Sequence, residues 1–178
     1  MIIVLIGYMG SGKSTVGKEL AKKLNFNFLD LDNYIENKYN STISDIFDIQ
    51  GEIYFRKIES ECVREICKKN ENIIFSLGGG TPCYGNTMTY LLNSSVISVY
   101  LKGSINTIFK RLLIDKNKRP LISNIDEIDL KEFIAKHLFE RSKFYNKADH
   151  IVSIDSFTTK QLVDRLKFLT LDQSTSTC

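Results

Sequence analysis

Ile2-Ile3-Val4-Leu5-Ile6-Gly7-Tyr8-Met9-Gly10-Ser11-Gly12-Lys13-Ser14 decides the reading of this chain. Its first five residues are an unbroken apolar run, the pattern of a strand buried on both faces of a parallel sheet. The next eight fit G-x-x-x-x-G-K-S/T at every fixed position. Residues 15–24 then place Val16, Leu20, Ala21 and Leu24 on one stripe, with Lys18, Glu19, Lys22 and Lys23 outward, which predicts a helix. Strand, glycine-rich turn and helix are what phosphate binding needs. Glycines let successive backbone N–H groups turn inward around phosphate oxygens, and the helix N-terminus adds partial positive charge. In such a loop Lys13 spans the β- and γ-phosphates and the Ser14 hydroxyl ligates Mg²⁺. An ordinary glycine-rich turn would not need Lys-Ser after its last glycine. The segment predicts a nucleoside triphosphate site.

Working outward, four more apolar runs follow at 26–31, 73–77, 96–101 and 150–154, with helical patterns between them. Strands alternating with helices imply right-handed βαβ units, hence an α/β fold with a five-stranded parallel sheet flanked by helices. Ligands of such a sheet gather beyond the carboxyl ends of its strands, which brings Gly7, Asp30, Asp32 and Gly78-Gly79-Gly80 to one edge. A helix over about 51–69 buries Phe55, Ile58, Cys62 and Ile66. Ser104 is the expected N-cap of a helix burying Ile105, Ile108, Phe109 and Leu112. A longer helix over about 126–145 buries Phe133, Ile134, Leu138 and Phe144, and a last one uses Leu162, Leu166 and Leu169. One domain over 1–171 is expected, with a frayed polar tail at 172–178. Two insertions interrupt the regular alternation. Residues 33–71 are long for one crossover and are read as a substrate-binding region over the active edge. Residues 114–129, polar around Arg119-Pro120, are read as a lid that excludes water during transfer.

The 178 residues suit a single core, with 43% apolar and 25% charged residues. A net charge of +3, spread along the chain, gives no footprint for nucleic acid. No apolar stretch reaches the roughly 20 residues of a membrane span, so no membrane partner is expected. Cys62, Cys67, Cys83 and Cys178 make no C-x-x-C pair and no zinc spacing, and read as buried free thiols of a cytoplasmic protein. A monomer is the expected state.

Asp30 and Asp32 bracket Leu31 at the end of the second run. On an extended chain both carboxylates face one side, and two such charges need a cation or a hydroxyl donor beside them. A helix cap is the competing role for Asp32. Arg56 and Glu59 lie three apart on one helix face, so the carboxylate can hold the guanidinium while its fork meets a planar anion; a plain surface ion pair is the alternative. The three glycines at 78–80 suggest a ligand pressed against bare backbone. Leu77-Gly78 stands where motors carry an acidic residue, and Asn117-Lys118 continues as Arg119-Pro120 instead of the base-reading N-K-x-D, which argues against motors and GTPases. Arg141 ends the long helix, and His137 and His150 are read as structural.

Taken together these elements resemble the shikimate kinase family, from residue 1 to about 169. The matching pieces are G-x-M-G-S-G-K-S-T-V-G at 7–17, D-x-D at 30–32, G-E-x-x-F-R-x-x-E at 51–59, G-G-G at 78–80, R-P-L at 119–121 and E-R-x-x-x-Y at 140–145. The resemblance implies ATP-dependent phosphorylation of the 3-hydroxyl of shikimate, with Mg²⁺, in the route to chorismate and the aromatic amino acids. It implies that Asp32 binds the acceptor hydroxyl and acts as base, with Lys13 and Arg119 as its catalytic companions. It assigns Gly10, Ser11, Gly12, Lys13, Ser14 and Thr15 to ATP, Ser14 and Asp30 to Mg²⁺, and Arg56, Gly79 and Arg141 to shikimate. Glu59 would orient Arg56, Arg119 would close over the phosphates, and Arg111 would stack on adenine. One departure is Lys143, where the family often has Pro. A gluconate-type kinase would share the loop and lid, and a non-catalytic nucleotide-binding module would be expected to lack Lys13 or Asp32.

Overall fold

The unbroken apolar run becomes β1 (Ile2–Ile6), the middle strand of the sheet, with every residue buried. The structure is a computed structural model that describes residues 1–114, 116 and 120–171. β2 (Asn27–Asp30), β3 (Ile73–Ser76), β4 (Val96–Lys102) and β5 (His150–Ser153) complete a wholly parallel sheet in the order β2-β3-β1-β4-β5. Ile2 pairs with Ile73 on one side and Val96 on the other. Burial falls toward the edges: β1 and β3 are buried throughout, whereas β2 has no buried residue and β5 has one. That gradient is expected of a sheet covered by helices, because only the middle strands lose water on both faces.

The helices are α1 (Lys13–Leu24), α2 (Leu31–Tyr39), α3 (Ile43–Cys67), α4 (Thr87–Leu92), α5 (Ile105–Ile114), α6 (Pro120–Ser123), α7 (Glu127–Tyr145) and α8 (Thr159–Leu171). α1 packs across β2 and β3 with α8 beside it, and α5 packs on α7. Gly17 permits the α1 contact, since a Cβ there would lie 2.6 Å from the Phe28 ring. From β1 the chain crosses to β3 and β2 on one side and to β4 and β5 on the other, which opens a crevice beyond the strand ends.

Several boundaries differ from the sequence expectation, each for a local reason. Phe26 and Leu31 fall outside β2, because Asn25 ends α1 at φ 56° and Leu31 is already helical. The expected helix at 51–69 is the second half of α3. Its first half starts after Thr42, whose hydroxyl accepts from the Asp45 N–H at 3.1 Å, and the two halves bend at Gly51 (φ 80°, ψ 170°). Ser104 caps α5 as expected, accepting from the Thr107 N–H at 3.2 Å, but Ile105 lies exposed on the first turn. α7 buries Leu130, Ile134 and Tyr145, while Phe133, Leu138 and Phe144 are half-buried. Leu169 is likewise half-buried. Cys62 is buried but Cys67 and Cys83 are half-buried, and all three are free thiols. Cys178 and the rest of 172–178 lie outside the described residues. α2 and α3 fill the first insertion, between β2 and β3, and the second contains α6 with Ile122 buried. Among the described residues no helix is long and apolar enough to cross a membrane.

Candidate active site

The turn after β1 is built as the glycines predicted. Gly10 (φ 77°) and Gly12 (φ 90°) sit in the left-handed region, and α1 starts on the next residue. Lys13 Nζ donates to the carbonyls of Gly7 (2.8 Å) and Tyr8 (3.2 Å), folding the side chain over the loop. Arg111 reaches the same loop from α5, donating to the carbonyls of Gly10 at 3.4 Å and Ser11 at 3.2 Å. The guanidinium expected on adenine is thus anchored to the loop backbone. A cleft of about 560 Å³ opens here, lined by Gly10, Gly12, Lys13, Ser14 and Thr15, and by Arg111, Ile114, Thr159 and Leu162. Arg119 lies outside the described residues.

Asp30, Asp32, Gly78 and Gly79 line the same cleft. The cap competition is settled in favour of Asp30: it is the N-cap of α2, and its Oδ1 accepts from the Asp32 N–H at 3.2 Å. Its Oδ2 accepts from the Ser14 hydroxyl at 2.9 Å, tying the loop to β2. Asp32 is therefore freed from capping and stands in the first helical turn. Its Oδ1 is 3.2 Å from where a Gly78 Cβ would lie, and Glu59 Oε1 is 3.3 Å from the same point. Burial raises the Asp32 carboxyl to about 6, Asp30 and Glu59 push the same way, and Lys13 opposes. Among the described residues no group of three or more His, Cys, Asp or Glu could hold a metal by itself. Ser14 and Asp30 nevertheless fit Mg²⁺, a hard cation bound by one or two protein oxygens together with substrate phosphates.

The third cluster surrounds two arginines. Arg56 Nη1 donates to Glu59 Oε2 at 2.9 Å and Nε to Glu52 Oε1 at 3.3 Å. Glu59 is only 2% exposed, so the pair is no surface ion pair. Tyr84, Phe55 and Phe47 present ring faces to the guanidinium at 4.2, 5.2 and 5.9 Å. Arg141 is held differently. Its guanidinium lies 5.5 Å from the Tyr8 ring and donates to the Tyr145 hydroxyl oxygen. The proton of that hydroxyl goes to the Gly79 carbonyl, while the Tyr8 hydroxyl lies 3.1 Å from His137 Nδ1. Burial pushes the Tyr8 hydroxyl up to about 12, with Arg141 opposing, so it stays protonated. The two arginines do not line the nucleotide cleft; they sit past its glycine wall. Arg141 Nη1 is 3.6 Å from where a Gly79 Cβ would lie, and Arg56 Nη1 is 3.0 Å from that of Gly80. Gly78 and Gly80 therefore make room for the protein's own side chains, whereas a Cβ at Gly79 would meet Arg141 only at ordinary contact distance.

Sequence reasoning missed Thr81, Tyr84 and Tyr8, and gave Tyr145 no role beyond closing the E-R-x-x-x-Y match. Tyr84 and Thr81 carried a signal in their place just after the triple glycine. Tyr8 had none beyond its position in the loop, because its partners are far along the chain. The His137 ring is tilted on Phe133 at 4.1 Å.

A family model described as shikimate kinase matches residues 9–169. A shikimate kinase of Flavobacterium johnsoniae is 53% identical over 161 residues, covering 90% of this chain and 94% of the relative. One from Flavobacterium psychrophilum is 44% identical over 92% of this chain and 95% of its own length. The crystal structure of a shikimate kinase from Bacteroides thetaiotaomicron matches with a TM-score of 0.88 at 36% identity, over 95% of this chain and 97% of that one. A shikimate kinase from Acinetobacter baumannii in complex with shikimate matches with a TM-score of 0.85 at 30% identity, over 98% and 94% of the two chains.

Proposed function

The chain belongs to the shikimate kinase family, and from that premise we propose that it transfers the γ-phosphoryl group of ATP to the 3-hydroxyl of shikimate, giving shikimate 3-phosphate and ADP. One observation carries the reading: the loop residues Lys13 and Ser14 and the acid Asp32 line a single cleft, with Arg141 beside its Gly79 wall and Arg56 beside the adjoining Gly80. A phosphate chain at the loop and a carboxylate at the arginines place the alcohol of a small hydroxy acid between them, against Asp32.

In this reading the loop N–H groups of 10–15 and Lys13 hold the β- and γ-phosphates. Ser14 and Asp30 would hold Mg²⁺, which would supply positive charge to neutralise the phosphate oxygens. Asp32 accepts the proton as the alcohol oxygen bonds to the γ-phosphorus and the bond to the β-phosphate oxygen breaks, leaving ADP. Its raised proton affinity suits that task better than a fully solvated carboxylate would. Arg56 and Arg141 fix the acceptor carboxylate, Gly79 lets the ring approach, Glu59 orients Arg56, and Arg111 braces the loop beside the adenine. Arg119 and the segment 114–129 close over the phosphates. Most of the rate enhancement is then positioning and charge stabilisation. The reading is of a monomeric enzyme working in the cytoplasm, where ATP is at hand.

A coupled ADP-release assay tests it. Shikimate is expected to drive turnover, while gluconate and other hydroxy acids give background rates. Equal or faster turnover with another acid would overturn the assignment.

A further inference from the structure

At Gly80 the backbone runs against the Arg56 guanidinium: a Cβ there would lie 3.0 Å from Nη1 and 3.1 Å from Nη2. One residue on, the fully buried Thr81 hydroxyl donates to Glu59 Oε1 at 2.6 Å. Glu59 Oε2 accepts from Arg56 Nη1, so the two carboxylate oxygens have separate partners. Tyr84, at the end of the same turn, sets its ring 4.2 Å from the guanidinium carbon. One short segment thus meets Arg56 with bare backbone, with a ring face and, through Glu59, with a hydroxyl.

We propose that residues 80–84 are the positioning cradle of Arg56, and that Thr81 is the positioning residue that keeps the guanidinium fork open for the acceptor's carboxylate. The inference rests on the shikimate reading above and deepens it. A buried carboxylate with one unfilled oxygen draws a second N–H from the nearest guanidinium, because bidentate pairing is the preferred geometry of that pair. With Thr81 on Oε1, Glu59 takes one N–H only. Nε is spent on Glu52, and Nη2 makes no protein hydrogen bond among the described residues. Without the hydroxyl, Glu59 can engage both nitrogens and close the fork. Tyr84 supports the guanidinium from its face and leaves its in-plane donors unobstructed.

The test is steady-state kinetics of Thr81→Val, Thr81→Ser, Tyr84→Leu and Tyr84→Phe. Thr81→Val is expected to raise the shikimate KM about ten- to a hundredfold, the scale of a lost hydrogen bond to a charged group, with the ATP KM within about twofold. Thr81→Ser restores the KM, and in a Glu59→Gln background the Val substitution adds little, because both act through one carboxylate. Tyr84 is half-exposed, so its variants fold even where Thr81→Val does not; Leu raises the shikimate KM and Phe does not. An unchanged shikimate KM in Thr81→Val or Tyr84→Leu, or equal losses for both substrates, overturns the cradle. Wild-type protein without shikimate-dependent turnover overturns the functional reading instead.

Discussion

The phosphate end and the acceptor end of the cleft are built by opposite strategies. The phosphate end is almost one continuous segment, 7–15, whose backbone amides, left-handed glycines and helix start come from neighbouring residues. The acceptor end is assembled from α2, α3, the turn after β3, and α7, and its chemistry is carried by side chains that hold one another. Backbone binding tolerates little variation because its geometry is the chain itself. Side-chain binding is tunable, since each arginine has partners that can be exchanged singly. The two arginines differ on a smaller scale: Arg56 is held by a buried carboxylate among three aromatic rings, Arg141 by the Tyr8 ring and the Tyr145 phenol with no ion pair among the described residues.

Substitutions can break or sharpen that contrast. The largest effect is expected at Asp32, the point both ends share. Asp32→Asn should lower kcat about 10²–10⁴-fold, the usual worth of a general base, with both KM values little changed. Lys13→Ala should follow, with kcat down about 10²–10³-fold, as for the loss of one preorganised charge donor. The ATP KM should rise and shikimate binding by calorimetry should persist. Arg141→Ala should reverse that pattern, raising the shikimate KM about tenfold or more while ATP binding stays near normal. If Arg141→Ala weakened both substrates equally, the two ends would not be independent.

Two smaller effects probe the scaffold. Gly51 bends α3 between the segment carrying Phe47 and the segment carrying Arg56, and no atom lies within 4 Å of a Cβ placed there. Gly51→Ala therefore isolates backbone strain, expected at about 1–3 kcal/mol and read as a Tm several degrees lower. His137 has its proton affinity lowered by burial and then by Arg141. A histidine whose folded pKa lies below its unfolded value contributes stability above about 6.5 and loses it as pH falls further. Wild type should thus lose Tm faster than His137→Gln between about pH 7 and 5, measured by thermal melts.

Much of this site was legible in advance where the residues that cooperate are close along the chain. The loop at 7–14, the pairing of Arg56 with Glu59 and the cap at Ser104 each depend on spacings of a few residues, which helices and turns convert directly into contacts. The Asp30–Asp32 pair was half legible. Strand alternation predicted two acids at the edge, but Asp30 ends the strand and becomes the cap, which releases Asp32. Thr81 on Glu59, Tyr145 on Gly79 and Tyr8 beside His137 join residues 22, 66 and 129 positions apart. No periodicity reports such contacts.

By itself the sequence determined a parallel sheet with a triphosphate loop at the end of its first strand, because unbroken apolar burial and glycine conformations are local properties of the chain. Which carboxylate caps and which stays available, how each arginine is gripped, and which side chains Gly78 and Gly80 make room for were decided only by the tertiary structure. Those depend on distances between separate elements, and distances of that kind exist only once the sheet order β2-β3-β1-β4-β5 has brought the strand ends together.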